Sequence, residues 1–399
     1  MKKMNVCFFL LSGGWGGAEN VVFHLAKYIE KKGHHVTIIL NDETYPFFKD
    51  LQNLKFYNIG PAFTVTRFLF NNFHLSLPKF FSRNKFLILV KNLAYPVLTQ
   101  LNYFKIRKKV LQAIDEINPD FIHFHNPAVL QFSSYLLPHI KYPTIYTSHG
   151  LDFGSQINKI KLRGRKNRRI LTRFNKITAV SNYIKQYLIS NGITRDIEVI
   201  YDGIDLEQIN NIARTNLEAN HDKKFTLIFP GGQKKNKGGE ILLKAIKIAK
   251  NQNDNIKLYY CGVVNTDFMK KYQCKDVIFT GLLPHKEYLN LLSICDCLAL
   301  LSKTEAFSIA TLEAMSFGKT ILTTSTGGIP EFFIDVINGF FVERNPQKIA
   351  EKIIFLINNP DIQINISKNN MQNAKKFQWD NIVDQYIRAY KLIITDTIK

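Results

Sequence analysis

Short apolar runs alternate with amphipathic stretches twice along this chain, and each series opens with a strand-like run ending in a glycine loop. In the first, Val6–Leu11 reads as a strand, Gly13–Gly17 as a glycine loop, Ala18–Lys32 as a helix stopped by Gly33, and Val36–Leu40 as the next strand. That is a βαβ unit, whose crossover builds a parallel sheet with its glycine loop at a strand's carboxyl end. Further short strands are expected at Phe121–Phe124 (after a helix over Lys105–Ile117), Thr144–Ser148, Lys176–Val180 and Glu198–Tyr201. The second series runs strand Thr226–Phe229, a glycine- and lysine-rich loop, helix Glu240–Lys250 and strand Ile256–Cys261. It continues with strand Val277–Thr280, helix Lys286–Ser293, strand Cys297–Leu301, helix Ile309–Phe317 and strand Thr320–Thr324. Cys295–Leu301 is mostly apolar and alternates poorly, the pattern of a buried parallel strand.

The fold class expected is therefore α/β, with two Rossmann-like, doubly wound domains. Facing one another, they would share a cleft beyond their strand carboxyl ends, with both glycine loops in it. A chain of 399 residues is too long for one ordinary core. The divisions expected are residues 1–205, residues 206–378, and a C-terminal helix over 379–399 that can cross back to the first domain. The polar stretch from Asp205 to Lys224 carries no strand signal, and residues 61–105, aromatic, basic and broken by Pro61, Pro78 and Pro96, are hard to place.

Charge is unevenly spread. Residues 1–200 hold 28 Lys and Arg against 11 Asp and Glu, and residues 201–399 hold 25 against 21. No acidic residue falls between Asp50 and Asp115 or between Asp152 and Asp196, and the first gap mixes basic residues with many aromatics. Basic plus aromatic content suggests a surface resting on an anionic membrane, with nucleic acid as the rival partner and a solvated basic face as the plainest alternative. The five cysteines show neither zinc nor redox spacing, which fits a reducing, cytoplasmic setting. The apolar start, Val6–Leu11, imitates a signal peptide but runs into glycines instead of a cleavage site, so a first strand is the better reading. No segment approaches the ~20 apolar residues of a spanning helix.

Two carboxylates, Glu305 and Glu313, straddle a loop-to-helix junction after an apolar strand. Backbone N–H groups of Phe307, Ser308 and Ile309 lie between them at the positive end of a helix, an arrangement that suits a diphosphate flanked by acceptors for hydroxyl groups. Two solvated glutamates would be the bland alternative.

Several segments, taken in order, resemble one family. Gly16-Gly17-Ala18-Glu19 with Lys32-Gly33-His34-His35-Val36 looks like the amino-terminal loop and helix of retaining GT-B glycosyltransferases of family 4. Ile117 to His125, Tyr146-Thr-Ser-His149-Gly150, Ala179-Val-Ser181 and Val199 to Asp205 follow. Then come Lys237-Gly238, Gly281-Leu-Leu-Pro284, Glu305 to Glu313, Gly327-Gly-Ile-Pro-Glu331 and Asn338-Gly339. Each match is weak alone; the ordered set is specific. Where the family usually reads Gly-Arg-Leu before its Lys-Gly, this chain reads Gly231-Gly232-Gln233, so the usual arginine is absent and Lys234 or Lys235 is left to supply its charge. Asp202 stands where the family commonly has Asn.

The resemblance implies a retaining hexosyltransferase that moves a sugar from a nucleotide-sugar donor, with a UDP-sugar favoured over GDP-mannose, to a glycan or lipid-linked acceptor. Bacterial surface polysaccharide or lipopolysaccharide assembly is the setting it suggests. It implies catalytic roles for His149 and Glu305, the latter orienting the donor sugar and not serving as a nucleophile. Donor binding falls to Gly16, Gly17, Gly232, Lys237, Phe307, Ser308, Ile309 and Glu313, with Glu313 on the ribose diol. His123 and His125 alternate with Phe on a strand, and packing is the preferred reading; Glu19 and His34 are read as structural. No Asp-x-Asp pair is visible, so no metal and no cofactor are expected. A cytoplasmic protein, peripheral at the inner face of the membrane and without a nucleic-acid partner, is expected. A GT-B sugar-nucleotide epimerase or hydrolase is the alternative activity, and a basic nucleic-acid-binding protein the alternative of a different class.

Overall fold

The computed structural model describes residues 3–13, 16–49, 51, 53–61, 104–151, 167–215 and 224–398. The basic-aromatic stretch within residues 61–105 and the segment Asp152–Lys166 lie almost wholly outside them. The chain forms two compact units. The first comprises Met1–Val180, Ile184–Ile200 and Val383–Lys399, and the second comprises Ser181–Tyr183 and Tyr201–Ile382.

The first unit is built on seven strands: β1 (Asn5–Leu10), β2 (His35–Leu40), β3 (Lys55–Asn58), β4 (Phe121–His125), β5 (Thr144–Ser148), β6 (Lys176–Ala179) and β7 (Ile197–Val199). Their order is β3-β2-β1-β4-β5-β6-β7, and every pair is parallel. Val6 sits beside Val36 on one side and Phe121 on the other. β4 and β5 are buried at every residue although His123, His125, Thr144, Thr147 and Ser148 are polar. The winding reverses between β1 and β4, so the loops leaving these two strands part to opposite faces and open a crevice there.

The last helix, Trp379–Ile398, belongs to this unit from Val383 onward. Val383, Tyr386 and Tyr390 are buried, the Tyr390 ring lies 4.3 Å from that of Phe121, and Lys32 pairs with Asp384 at 2.9 Å.

The second unit carries six strands: β8 (Phe225–Phe229), β9 (Ile256–Cys261), β10 (Val277–Gly281), β11 (Cys297–Leu300), β12 (Thr320–Thr323) and β13 (Phe340–Phe341). The order β10-β9-β8-β11-β12-β13 is again wholly parallel, with its reversal between β8 and β11. Leu227, Leu258, Ala299 and Leu322 from the sheet pack with Leu242, Ile246, Ile349 and Ile353 from two covering helices to make the core. Predicted strands and helices match observed ones to within a residue or two, the last helix, Trp379–Ile398, included. Elements without a sequence expectation are β3, the two-residue β13 and several helices, including Leu206–Thr215 inside the polar stretch. That helix is capped by Asp205, whose carboxylate accepts the Gln208 N–H at 3.0 Å, and buries only Ile209 and Ile212. Its apolar positions, Leu206, Ile209 and Ile212, recur three apart but over only ten residues, too short a window to stand out from the polar stretch around them.

Candidate active site

In the second unit the loops leaving β8 and β11 lie side by side at the reversal of the sheet. The β8 loop folds tightly: Gly232 has φ +54°, donates its N–H to Cys261 O and accepts from the Tyr260 hydroxyl at 2.7 Å. A Cβ there would press on the backbone of Val263, so glycine is required by the turn. Its N–H, being spent on Cys261, supports the loop and is not a free donor.

Lys237, at the end of the short turn Lys235–Lys237, reaches across to β11's loop. Its Nζ lies 2.6 Å from Glu305 Oε1, which also accepts from Ser302 Oγ at 2.5 Å. Lys237 and Glu305 are thus one ion pair, both partly shielded from water. Lys234 and Lys235, beside it in the same loop, are exposed. A guanidinium that the sequence reading had not singled out does support this loop. Arg344 donates to the carbonyls of Asn236 (3.1 Å), Leu301 and Lys235, joining the two loops from behind. Its charge serves backbone oxygens, and no signal in the sequence distinguishes it from other surface arginines.

The helix Ile309–Ser316 begins at Ser308, which has φ +91° and ψ +79°. A non-glycine residue in the left-handed region is strained, and such strain gathers at functional sites. Ser308 makes no side-chain cap; its hydroxyl lies 2.8 Å from Thr311 Oγ1 instead. Among the described residues none accepts from the N–H of Phe307, Ser308 or Ile309. The helix therefore presents uncapped donors at its positive end, four residues after the Glu305 carboxylate. Phe307 itself is buried, its ring stacked on Tyr201 with centroids 5.0 Å apart. Behind the turn, Gly327 has φ +60° and packs so closely on Glu305 that a Cβ would overlap the Glu305 carbonyl. The Gly327-Gly328 pair thus sets the backbone that carries Glu305.

Glu313, one turn inside the same helix, is 6% exposed. A carboxylate this buried needs a partner, and His285 provides it, with Nε2 2.6 Å from Oε1. Burial opposes charge on His285, but the Glu313 carboxylate and, further off, Asp205 outweigh it and hold the imidazole pKa above its ordinary value. His285 escaped sequence reading because it lies at the first position of its helix, where nothing marks a lone histidine as a partner.

In the first unit Gly16 and Gly17 open the helix Gly17–Lys31 at the end of β1. A Cβ on Gly17 would enter open space, and one on Gly16 would meet the Glu19 carboxylate. Glu19 is buried and accepts from Asn126 Nδ2 at 2.9 Å, tying the β1 loop to the β4 loop across the reversal. His34 is structural: its Nδ1 accepts the Met4 N–H at 3.1 Å. His149, half-buried at the end of β5, lies 3.0 Å from His125 Nδ1 through its Nε2. His123 and His125 are fully buried and more than packing. Their ring centroids lie 3.8 Å apart with the planes tilted by 40°, and His123 bonds to Tyr390 OH (2.8 Å) and Thr147 Oγ1 (2.6 Å). Burial pushes all three imidazoles well toward the neutral form. Among the described residues no three His, Cys, Asp or Glu side chains are grouped to hold a metal ion, and no helix is long and apolar enough to cross a membrane.

The candidate residues therefore fall into two sets, one at the second sheet's switch point and one at the first sheet's, with His149 beside the latter at the end of β5. One contains Gly16, Gly17 and His149; the other contains Gly232, Lys237, Glu305, Phe307, Ser308, Ile309 and Glu313. An ammonium, uncapped backbone donors and two carboxylates make the second set suited to a polyol diphosphate.

Residues 15–208 match the glycosyltransferase family 4 description, and residues 213–376 match that of the glycosyl transferases group 1. An uncharacterized glycosyltransferase of Methanocaldococcus jannaschii is 31% identical over 297 residues, which span 73% of this chain and 80% of that protein. The N,N'-diacetylbacillosaminyl-diphospho-undecaprenol alpha-1,3-N-acetylgalactosaminyltransferase of Campylobacter jejuni is 28% identical over 109 residues, 27% of this chain and 29% of that one. Among solved structures, the Anabaena protein HepE in complex with UDP and glucose superposes with a TM-score of 0.74 at 20% identity, covering 97% of this chain and 99% of that one. With its two parallel α/β units and these matches, the chain belongs to the GT-B glycosyltransferases, with a family 4 first half and a group 1 second half.

Proposed function

We propose that this glycosyltransferase moves a hexose, with retention, from a nucleotide-sugar donor to a glycan or lipid-linked acceptor. The observation that carries the donor half is the meeting, at the β8/β11 reversal, of Lys237, Glu305, the uncapped N-terminus at Ser308 and, one turn on, Glu313. A lysine ammonium has three N–H donors, so Lys237 can hold Glu305 and still meet a phosphate oxygen. The diphosphate would lie against the N–H groups of Phe307, Ser308 and Ile309, Glu305 would orient sugar hydroxyls, and Glu313 would accept from the ribose diol. In the transfer, the bond between the anomeric carbon and the diphosphate oxygen breaks as the acceptor hydroxyl oxygen bonds on the same face. The hydroxyl proton passes to the departing diphosphate. Donors fixed in advance lower the barrier because they need no reorganisation as charge develops.

A UDP-sugar is the donor favoured, with support from the UDP and glucose bound by the HepE neighbour. A lipid-linked acceptor, and surface polysaccharide or lipopolysaccharide assembly, draws support from the undecaprenol-linked substrate in the name of the Campylobacter relative. Lys237 and the backbone donors take the role a metal would play, so activity should persist in EDTA. His149 and the Gly16-Gly17 turn would meet the sugar or the acceptor. The excess of basic residues in the first half suits docking on an anionic membrane from the cytoplasmic side; sedimentation with anionic but not neutral vesicles is the expected result.

A thermal-shift panel of UDP-, GDP- and ADP-sugars tests the donor site. The UDP-sugars should stabilise the wild type and lose that effect in Glu313→Ala; no stabilisation by any nucleotide would remove the donor assignment. Lys237→Met should lower kcat/KM about a hundredfold, the scale for losing one positioned donor to a developing charge.

A further inference from the structure

We infer that His285 is the positioning residue of the donor site, fixing the Glu313 carboxylate so that one oxygen is held and the other is left to a ligand; the inference rests on the donor-site reading above. Glu313 sits inside an eight-residue helix and is nearly sealed from water. A free glutamate in that place would choose among several rotamers. His285 removes the choice: Nε2, at 2.6 Å, bonds Oε1 and leaves Oε2 as the acceptor to spare. The imidazole is itself held in place. It is the first residue of the helix His285–Ile294, immediately after Pro284, whose ring fixes its own φ, and its ring lies near parallel to that of Tyr288, with 6.4 Å between centroids and 22° between planes. The helix Leu206–Thr215 packs against the same helix, and Asp205 at its start adds attraction for a proton on the ring.

A ribose diol needs an acceptor at one place, and affinity falls when that acceptor must first be ordered. His285 therefore acts on donor binding through Glu313 and does not touch the reacting atoms. Loss of the imidazole should raise KM for the donor while leaving kcat at saturation little changed.

The test is calorimetric titration of the full chain with UDP, alongside steady-state kinetics with the UDP-sugar that the panel selects. His285→Leu, close in volume, should weaken UDP binding about tenfold. His285→Gln, which keeps a neutral N–H donor at the reach of Nε2, should recover most of that loss. In a Glu313→Gln background the His285→Leu change should weaken UDP binding no further. Equal affinity of His285→Leu and wild type, or equal impairment of the Leu and Gln variants, overturns the inference while leaving the donor site standing. Should His285→Leu fail to fold, His285→Gln against His285→Asn decides, because only the longer amide reaches Glu313; equal UDP affinities for these two also overturn it. If wild type binds no UDP, GDP or ADP, the donor-site reading falls and this inference with it.

Discussion

Asp202 is 6% exposed, and its Oδ1 has no hydrogen-bond partner among the described residues. Burial pushes its pKa from an ordinary 3.8 up to about 8, so the folded protein holds this carboxyl neutral. Because the folded value lies above the unfolded one, Asp202's favourable contribution is complete below about pH 4 and is lost as pH rises toward 8. Asp202→Asn stays neutral throughout. Its melting temperature should exceed that of wild type at pH 8, with the gap closing as the pH is lowered to 4. Val336 is at odds with its own backbone: φ is +67°, a conformation that a β-branched side chain strongly resists. Its side chain is 59% exposed and so has little burial to lose. Val336→Gly should raise stability by about 1 kcal/mol, the left-handed penalty less the glycine's extra chain entropy, as read from urea unfolding.

At the scale of elements, the helix Gly17–Lys31 lets a role in folding be tested apart from a role in activity at one position. Gly17 has negative φ, opens the helix, and has room for a Cβ, so nothing in the fold asks for glycine there. Gly17→Ala should keep or slightly raise the melting temperature, since alanine is the better helix former. It should still lower transferase activity, because the methyl group would fill the space where ligand approaches the turn. Unchanged activity would show that the open space serves no ligand. The helix Ile309–Ser316 makes the contrary choice and carries strain at Ser308 in the midst of its uncapped donors.

For the whole molecule, the first sheet depends on residues from the far end of the chain. Tyr390 is fully buried against Phe121 and bonded to His123, although 267 positions separate it from that histidine. Tyr390→Ala should cost about 3–5 kcal/mol, the range for emptying a buried aromatic site, measured by denaturant unfolding of the full chain. The same contact ties the buried His123–His125 pair, and through it His149, to the C-terminal helix.

Much of the fold was legible because its cues are local. Apolar run length separates buried strands from helices, and Gly33 and Gly318, at φ +87° and +67°, mark helix ends that their neighbours in sequence announce. β3 was not legible, since Lys55–Asn58 is a half-exposed edge strand with little apolar content. At the site, the residue types and their loops could be read, but not their partners. Glu305 meets Lys237 across 68 positions, and Glu313 meets His285 across 28. The sequence by itself determined two α/β units and the loops that hold the candidate site residues, because backbone preference is set within a few residues. Only the tertiary structure decided that Lys237 pairs with Glu305, that Glu313 is held by His285, and that three histidines line up under Tyr390. Those pairings follow from strand order and the position of each sheet's reversal, which no local periodicity encodes.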